Sequence, residues 1–139
     1  MVGILVVSHG NLAQAILECV DMLVGIPEQF AAVGIQNGED PDNFYKQLQK
    51  KAQQIDTGDG IIALVDLYGG TPNNNTVRLS MERNIRIITG VNLPMVMAAA
   101  VEREDTTTMT ELVNLLLKTG SSEIMEFILE KKKDAESGE

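Results

Sequence analysis

Two short runs of this chain, Val2 to Val7 and Ile61 to Val65, are apolar throughout rather than alternately apolar and polar. A strand of that kind has no side to show to water, which is the condition of parallel strands covered by helices on both faces. The residues after the first run agree with that reading. Leu12, Ala15, Ile16, Cys19, Val20 and Leu23 recur at helical spacing, with Gly25 as a stop. Cys19, the only cysteine, reads as a small core residue of that helix.

The strand and helix unit then repeats. Ala31 to Ile35 is a weaker strand, and Asp40 before Pro41 supplies the cap and first turn of a helix carrying Phe44, Leu48, Ala52 and Ile55. Ile61 to Val65 ends at Asp66, and a glycine-rich turn leads through Pro72 into a segment reaching about Arg83. Ile85 to Thr89 is a fourth strand, with a helix from about Pro94 to Val101. Thr108 and Glu111 have capping-box spacing for a helix bearing Leu112, Leu115 and Leu116 and stopping near Gly120. Ile124 to Ile128 is a candidate for a fifth, short strand.

This alternation predicts an α/β fold: a doubly wound, mostly parallel sheet in the order 2-1-3-4, with helices on both faces and right-handed crossovers. A length of 139 residues suits one domain, expected over residues 1–128, with the polar residues 129–139 as a tail that frays. No apolar run is long enough to span a bilayer, and no secretory leader is recognisable, so a cytoplasmic location is the expectation. The net charge of −9 argues against nucleic acid as a partner, because phosphate backbones are held by clustered Lys and Arg.

Chemistry points to one place. The chain has a single histidine, His9, at the end of the first strand, and Asp66 closes the third. In the order 2-1-3-4 these strands are neighbours, and open α/β sheets gather ligands at the carboxyl ends of their strands. A carboxylate that takes the hydrogen of one imidazole nitrogen leaves the other nitrogen free to attack a ligand or bind a metal. Metal is the weaker option, since no second histidine or cysteine cluster completes a coordination shell.

After Asp66 come Leu67, Tyr68, Gly69, Gly70, Thr71 and Pro72. The glycines permit close backbone approach, Thr71 can cap the next helix, and Pro72 fits its first turn. Free N–H groups at a helix N-terminus favour a phosphate. The lysine of a phosphate-binding GxxxxGK[ST] loop is absent, as is a GxGxxG fingerprint, so nucleotide binding has little support and no cofactor is expected. Taken singly, each feature also has a plainer reading: the histidine or the aspartate as a local cap, Gly-Gly-Thr-Pro as a turn. Their meeting at one sheet edge favours phosphoryl chemistry. A flavodoxin-like module that binds phosphate or a phosphorylated metabolite without covalent chemistry is the alternative.

Three segments carry a resemblance to a known family: VVSHG (Val6 to Gly10), LVDLYGGTP (Leu64 to Pro72) and GVNLPM (Gly90 to Met95). With their spacing, the chain resembles, to about Ile128, the IIA domain of the mannose-type (mannose, fructose, sorbose) sugar phosphotransferase system. The resemblance implies a cytoplasmic phosphocarrier that takes a phosphoryl group from HPr onto His9 and passes it to a IIB component, with the membrane reached only through IIC and IID subunits. It implies that Asp66 orients the imidazole and that Thr71 helps hold the phosphoryl group; the backbone amides around Gly69, Gly70 and Thr71 are expected to hold it as well, with no metal or nucleotide required. It also implies a homodimer in which the segment Glu123 to Ile128 crosses as an antiparallel strand to the other subunit's sheet. Tyr68 and Asn73 stand where a relative has tryptophan and phenylalanine, which makes the rim facing protein partners more polar. The polar end of the chain matches a free-standing IIA protein or an excised domain.

Overall fold

In the computed structural model, which describes residues 1–130, the elements run β1 (Gly3–His9), α1 (Leu12–Val24), β2 (Phe30–Ile35), α2 (Pro41–Ile55), β3 (Ile61–Val65), α3 (Gly70–Ser80), β4 (Ile85–Thr89), α4 (Leu93–Glu102) and α5 (Met109–Ser122). The four strands form one parallel sheet in the order β2-β1-β3-β4. The tail expected to fray lies, from residue 131 on, outside the described residues.

The apolar runs fill two cores. Side chains alternate across a strand, so Ile4, Val6, Ile62 and Leu64 pack on one face, with α1, α4 and α5, while Leu5, Val7, Ile61 and Val65 pack on the other, with α2 and Leu79 of α3. Both faces being covered is why β1 and β3 are apolar without interruption. A fully buried side chain of this class contributes about 1.5–3 kcal/mol, so the central strands carry much of the stabilisation.

Several helix boundaries follow from their caps. Asp40 accepts from the Asn43 N–H, with Pro41 in the first turn of α2. Thr108 and Glu111 exchange both bonds of a capping box at α5. Asn92 accepts from Met95 at α4, and Gly25 ends α1 at φ 79°.

The structure corrects four expectations. α1 buries Ala13, Ile16, Leu17 and Val20, so Leu12, Ala15, Cys19 and Leu23 are exposed. Leu12, Ala13, Ala15, Ile16, Leu17, Cys19, Val20, Met22, Leu23 and Val24 give this helix more than one apolar stripe, and periodicity alone does not choose between them. Thr71 does not cap α3: Gly69 holds the cap position and Thr71 lies inside the first turn. The helix also ends earlier than expected, at Ser80, with Met81 to Arg83 closing in a turn. Finally, Ile124 to Ile128 forms no strand within the chain; these residues follow α5 with Ile124, Met125, Phe127 and Ile128 exposed.

Candidate functional site

The parallel register builds the site. Val7 of β1 pairs with Val65 of β3, so the next residues, Ser8 and His9 on one strand and Asp66 on the other, emerge together at the carboxyl edge. The backbone continues the ladder by one bond, Asp66 N–H donating to the Val7 carbonyl at 3.1 Å. His9, expected just after the strand, is its last residue and pairs across with Ile35 of β2.

His9 and Asp66 touch. One carboxylate oxygen, Oδ2, accepts from the His9 backbone N–H at 2.9 Å and lies 2.8 Å from the imidazole Nδ1. The other, Oδ1, accepts from the Leu67 N–H at 2.8 Å. The Asp66 side chain is 10% exposed and that of His9 50%, so the carboxylate is the enclosed partner and the ring the presented one.

Burial pushes the Asp66 carboxyl up. The His9 N–H, the imidazole's hydrogen bond and charge, and the Leu67 N–H outweigh it and hold the group below its ordinary value. An ionised carboxylate can only accept hydrogen bonds, so Nδ1 carries a hydrogen, and in the neutral form of the ring the lone pair is then on Nε2.

Nε2 faces the start of α3. Gly69 and Gly70 both have positive φ, 83° and 81°, which bends the chain from β3 directly into the helix. A Cβ on Gly70 would sit 3.4 Å from the imidazole Cε1 and 3.5 Å from Nε2, so the bare α-carbon is what leaves room beside that nitrogen. No side chain caps α3. Its first-turn N–H groups, those of Gly70 and Thr71 among them, have no intrahelical acceptor and carry the positive end of the helix dipole. Thr71, half-buried in this turn, adds a hydroxyl. The arrangement places a ring nitrogen, a carboxylate bonded to the opposite side of the ring and a helix N-terminus without a side-chain cap together at one edge.

Sequence reasoning brought His9, Asp66, Gly69, Gly70 and Thr71 to one edge, and the structure gathers all five there. It passed over Ser8, which is fully buried and whose Oγ accepts from the Ala13 N–H at 2.8 Å, fastening the start of α1 to the residue before His9. A capping side chain normally precedes the N–H that donates to it by two or three residues, and five residues gave no such signal. Among the described residues no group of three His, Cys, Asp or Glu side chains is placed to hold a metal ion, and no helix is long and apolar enough to cross a membrane.

The family model EIIA-man, described as PTS system fructose IIA component, matches residues 3–117. The chain is 30% identical over 120 residues to the PTS system mannose-specific EIIAB component of Escherichia coli (strain K12), covering 86% of this chain and 37% of that protein. It is 26% identical over 137 residues to the PTS system fructose-specific EIIA component of Bacillus subtilis (strain 168), covering 97% of this chain and 94% of the relative. Among solved structures, phosphotransferase system component EIIA from Streptococcus agalactiae superposes with a TM-score of 0.82 at 28% identity, over 91% of this chain and 98% of the other. The chain thus spans a little over a third of the mannose-specific EIIAB relative but nearly the whole of the shorter EIIA proteins. With a family match extending from β1 into α5, and with the histidine, the aspartate and the glycine turn assembled at one sheet edge, this chain belongs to the mannose/fructose/sorbose EIIA family of the sugar phosphotransferase system.

Proposed function

We propose that the chain is a phosphocarrier: His9 accepts a phosphoryl group from phosphorylated HPr and yields it to a IIB component, on the way to sugar uptake and phosphorylation. The observation that carries this reading is the His9–Asp66 pair at 2.8 Å, with the opposite ring nitrogen beside the bare α-carbon of Gly70. In the forward step the Nε2 lone pair attacks phosphorus in line, the bond to the donor breaks, and its electron pair leaves with HPr. The hydrogen stays on Nδ1, where Asp66 balances the positive charge that develops on the ring. The amides of Gly70 and Thr71 and the Thr71 hydroxyl stabilise the equatorial oxygens, so catalysis is positioning and electrostatics. Transfer to IIB is the same step in reverse, toward a different acceptor.

The partners, location and assembly belong to this proposal. HPr and IIB dock at the site, the membrane is reached only through IIC and IID, and the domain over residues 1–128 works in the cytoplasm as a homodimer. Two surfaces support the dimer. The β4 edge is unpaired by any described strand and borders a groove of about 540 Å³ lined by Arg86 to Thr89, Val113 and Leu117. The segment after α5 exposes Ile124, Met125, Phe127, Ile128 and Leu129, with Phe127 81% exposed. Pairing of that segment with a second copy's β4 satisfies both.

Intact mass spectrometry after incubation with Enzyme I, HPr and phosphoenolpyruvate tests the reading: the native chain gains one phosphate and His9→Ala gains none. Acid-labile phosphate on His9→Ala refutes the assignment. Saturable binding of a phosphate ester with no covalent adduct favours a binding module instead.

A further inference from the structure

The peptide after His9 is held from the β2 side as closely as the imidazole is held from the β3 side. Gly10 leaves β1 at φ 56°, and its N–H donates to the Ile35 carbonyl at 2.7 Å. Its own carbonyl then crosses the end of β2 over Gly34. A methyl built on Gly34 would overlap the Gly10 carbonyl oxygen outright and lie 3.0 Å from the carbonyl carbon and 3.5 Å from the Ser8 Oγ that starts α1. Gly34 is not among the glycines with positive φ, so it is the neighbour, and not the backbone angle, that demands glycine here.

From outside, the Gln36 side-chain amide donates to the Gly34 carbonyl at 3.1 Å and reaches the Gly10 carbonyl and the Asn11 Oδ1 at 3.4 Å each. The Gln36 backbone N–H in turn donates to Glu39 Oε1 at 3.0 Å. Those bonds turn Gln36 inward over the same peptide.

We infer that Gly34 is a positioning residue for His9: its lack of a side chain seats the Gly10 peptide against β2, and Gln36 clasps that peptide from outside. This rests on the reading of His9 as the phosphoryl acceptor. Because the His9 N–H and Nδ1 share one oxygen of Asp66, the ring and its own peptide are aimed as a unit. A methyl at Gly34 must push the Gly10 carbonyl or the end of β2 aside, and the imidazole turns with it. A misplacement on the order of 1 Å in a reacting group can cost about 10²-fold in rate.

The test compares Gly34→Ala with Gly3→Ala. A methyl on Gly3 would lie 2.9 Å from the Ile55 carbonyl oxygen at the opposite end of β1, so it strains the sheet without reaching the site. Thermal unfolding, the kcat and KM of phosphoryl transfer from phosphorylated HPr, and the 15N shifts of the His9 ring nitrogens are measured for both. Both variants unfold at lower temperature. Only Gly34→Ala, assayed while still folded, lowers kcat by about tenfold or more and moves the Nδ1 resonance. Gln36→Ala, which adds no bulk, shows the same signature at about threefold. A Gly34→Ala protein with native ring shifts and native kcat overturns the inference, as does an equal loss of kcat in Gly3→Ala. If Gly34→Ala does not fold, native ring shifts in Gln36→Ala overturn it. Should the native chain take no phosphate from HPr, the carrier reading fails, and the ring shifts still decide whether Gly34 aims His9.

Discussion

Asp66→Asn keeps the size and shape of the side chain and removes only the charge and one acceptor. Asp66 now accepts three hydrogen bonds, two from His9 at one oxygen and one from Leu67 at the other. Asparagine offers one oxygen. Turned toward His9, it keeps both of those bonds as neutral ones and sets its NH₂ against the Leu67 N–H. Turned toward Leu67, it sets its NH₂ against the His9 N–H and against Nδ1, so the ring fits only with Nδ1 bare and the hydrogen on Nε2, the nitrogen proposed to attack. Hydrogen bonds to a charged group are worth roughly 1.5–3 kcal/mol and neutral ones roughly 0.5–1.5. With the ring half in water, the folded protein should lose about 1–3 kcal/mol of stability. The transition state loses more, because a charge developing on the ring about 4 Å from a carboxylate gains about 4 kcal/mol at an effective dielectric near 20, and less where water reaches it. Taking about 2–3 kcal/mol, at about 1.4 kcal/mol per factor of ten, phosphoryl transfer should slow about 10²-fold. Rapid-quench transfer from radiolabelled phospho-HPr measures the rate, circular dichroism confirms the fold, and 15N NMR reads the tautomer. A folded Asp66→Asn that transfers within about threefold of the native rate refutes the orienting role.

Gly70→Ala places a methyl 3.5 Å from Nε2 at a φ of 81° and should abolish detectable phosphohistidine in a protein that still unfolds cooperatively; mass spectrometry and thermal melts check the two halves. The Asp66 carboxyl, held low in the folded state, favours folding above its ordinary value, and that contribution disappears as pH falls through the folded value. Urea unfolding between about pH 6 and about pH 2 should therefore show a shallower acid loss for Asp66→Asn than for the native chain. Leu64→Ala, at a fully buried position of β3, should cost about 2–5 kcal/mol by urea unfolding while leaving the transfer rate of the folded protein near native.

The strands were legible because burial on both faces leaves a signature that needs no partner information. β3 and β4 fall on the expected residues, and β1 differs only in beginning at Gly3 and reaching His9. The caps of α2 and α5 were legible for a similar reason, since Asp40 and Thr108 act on N–H groups three residues away. The inner face of α1 was not. Its orientation depends on α4, against which it packs, and on the Ser8 hydroxyl, so Cys19 and Leu23 turned outward although their spacing is correct. Thr71 has the composition of a cap, but the two glycines before it accept positive φ and let α3 start earlier.

The site divides along the same line. His9 and Asp66 are 57 residues apart, and the sheet order and the Val7–Val65 register are enough to bring them together, so a correct topology made the pair readable. Gly34 and Gln36 were unreadable because their work depends on where the Gly10 carbonyl crosses β2, a matter of ångströms and not of topology. The same distinction explains how the site can tolerate being open. His9 is half exposed, and Leu67 and Tyr68, next after Asp66, stand out in solvent, Tyr68 at 89%. An enzyme for a free small molecule encloses it and uses the enclosure for orientation. On the proposed reading the donor is already fixed on a folded protein and brings its own orientation, so what the acceptor must supply is a ring that does not turn. The bonds from β3 and the bare backbone of β2 meet that requirement from the two flanks while leaving the face toward the partner uncovered.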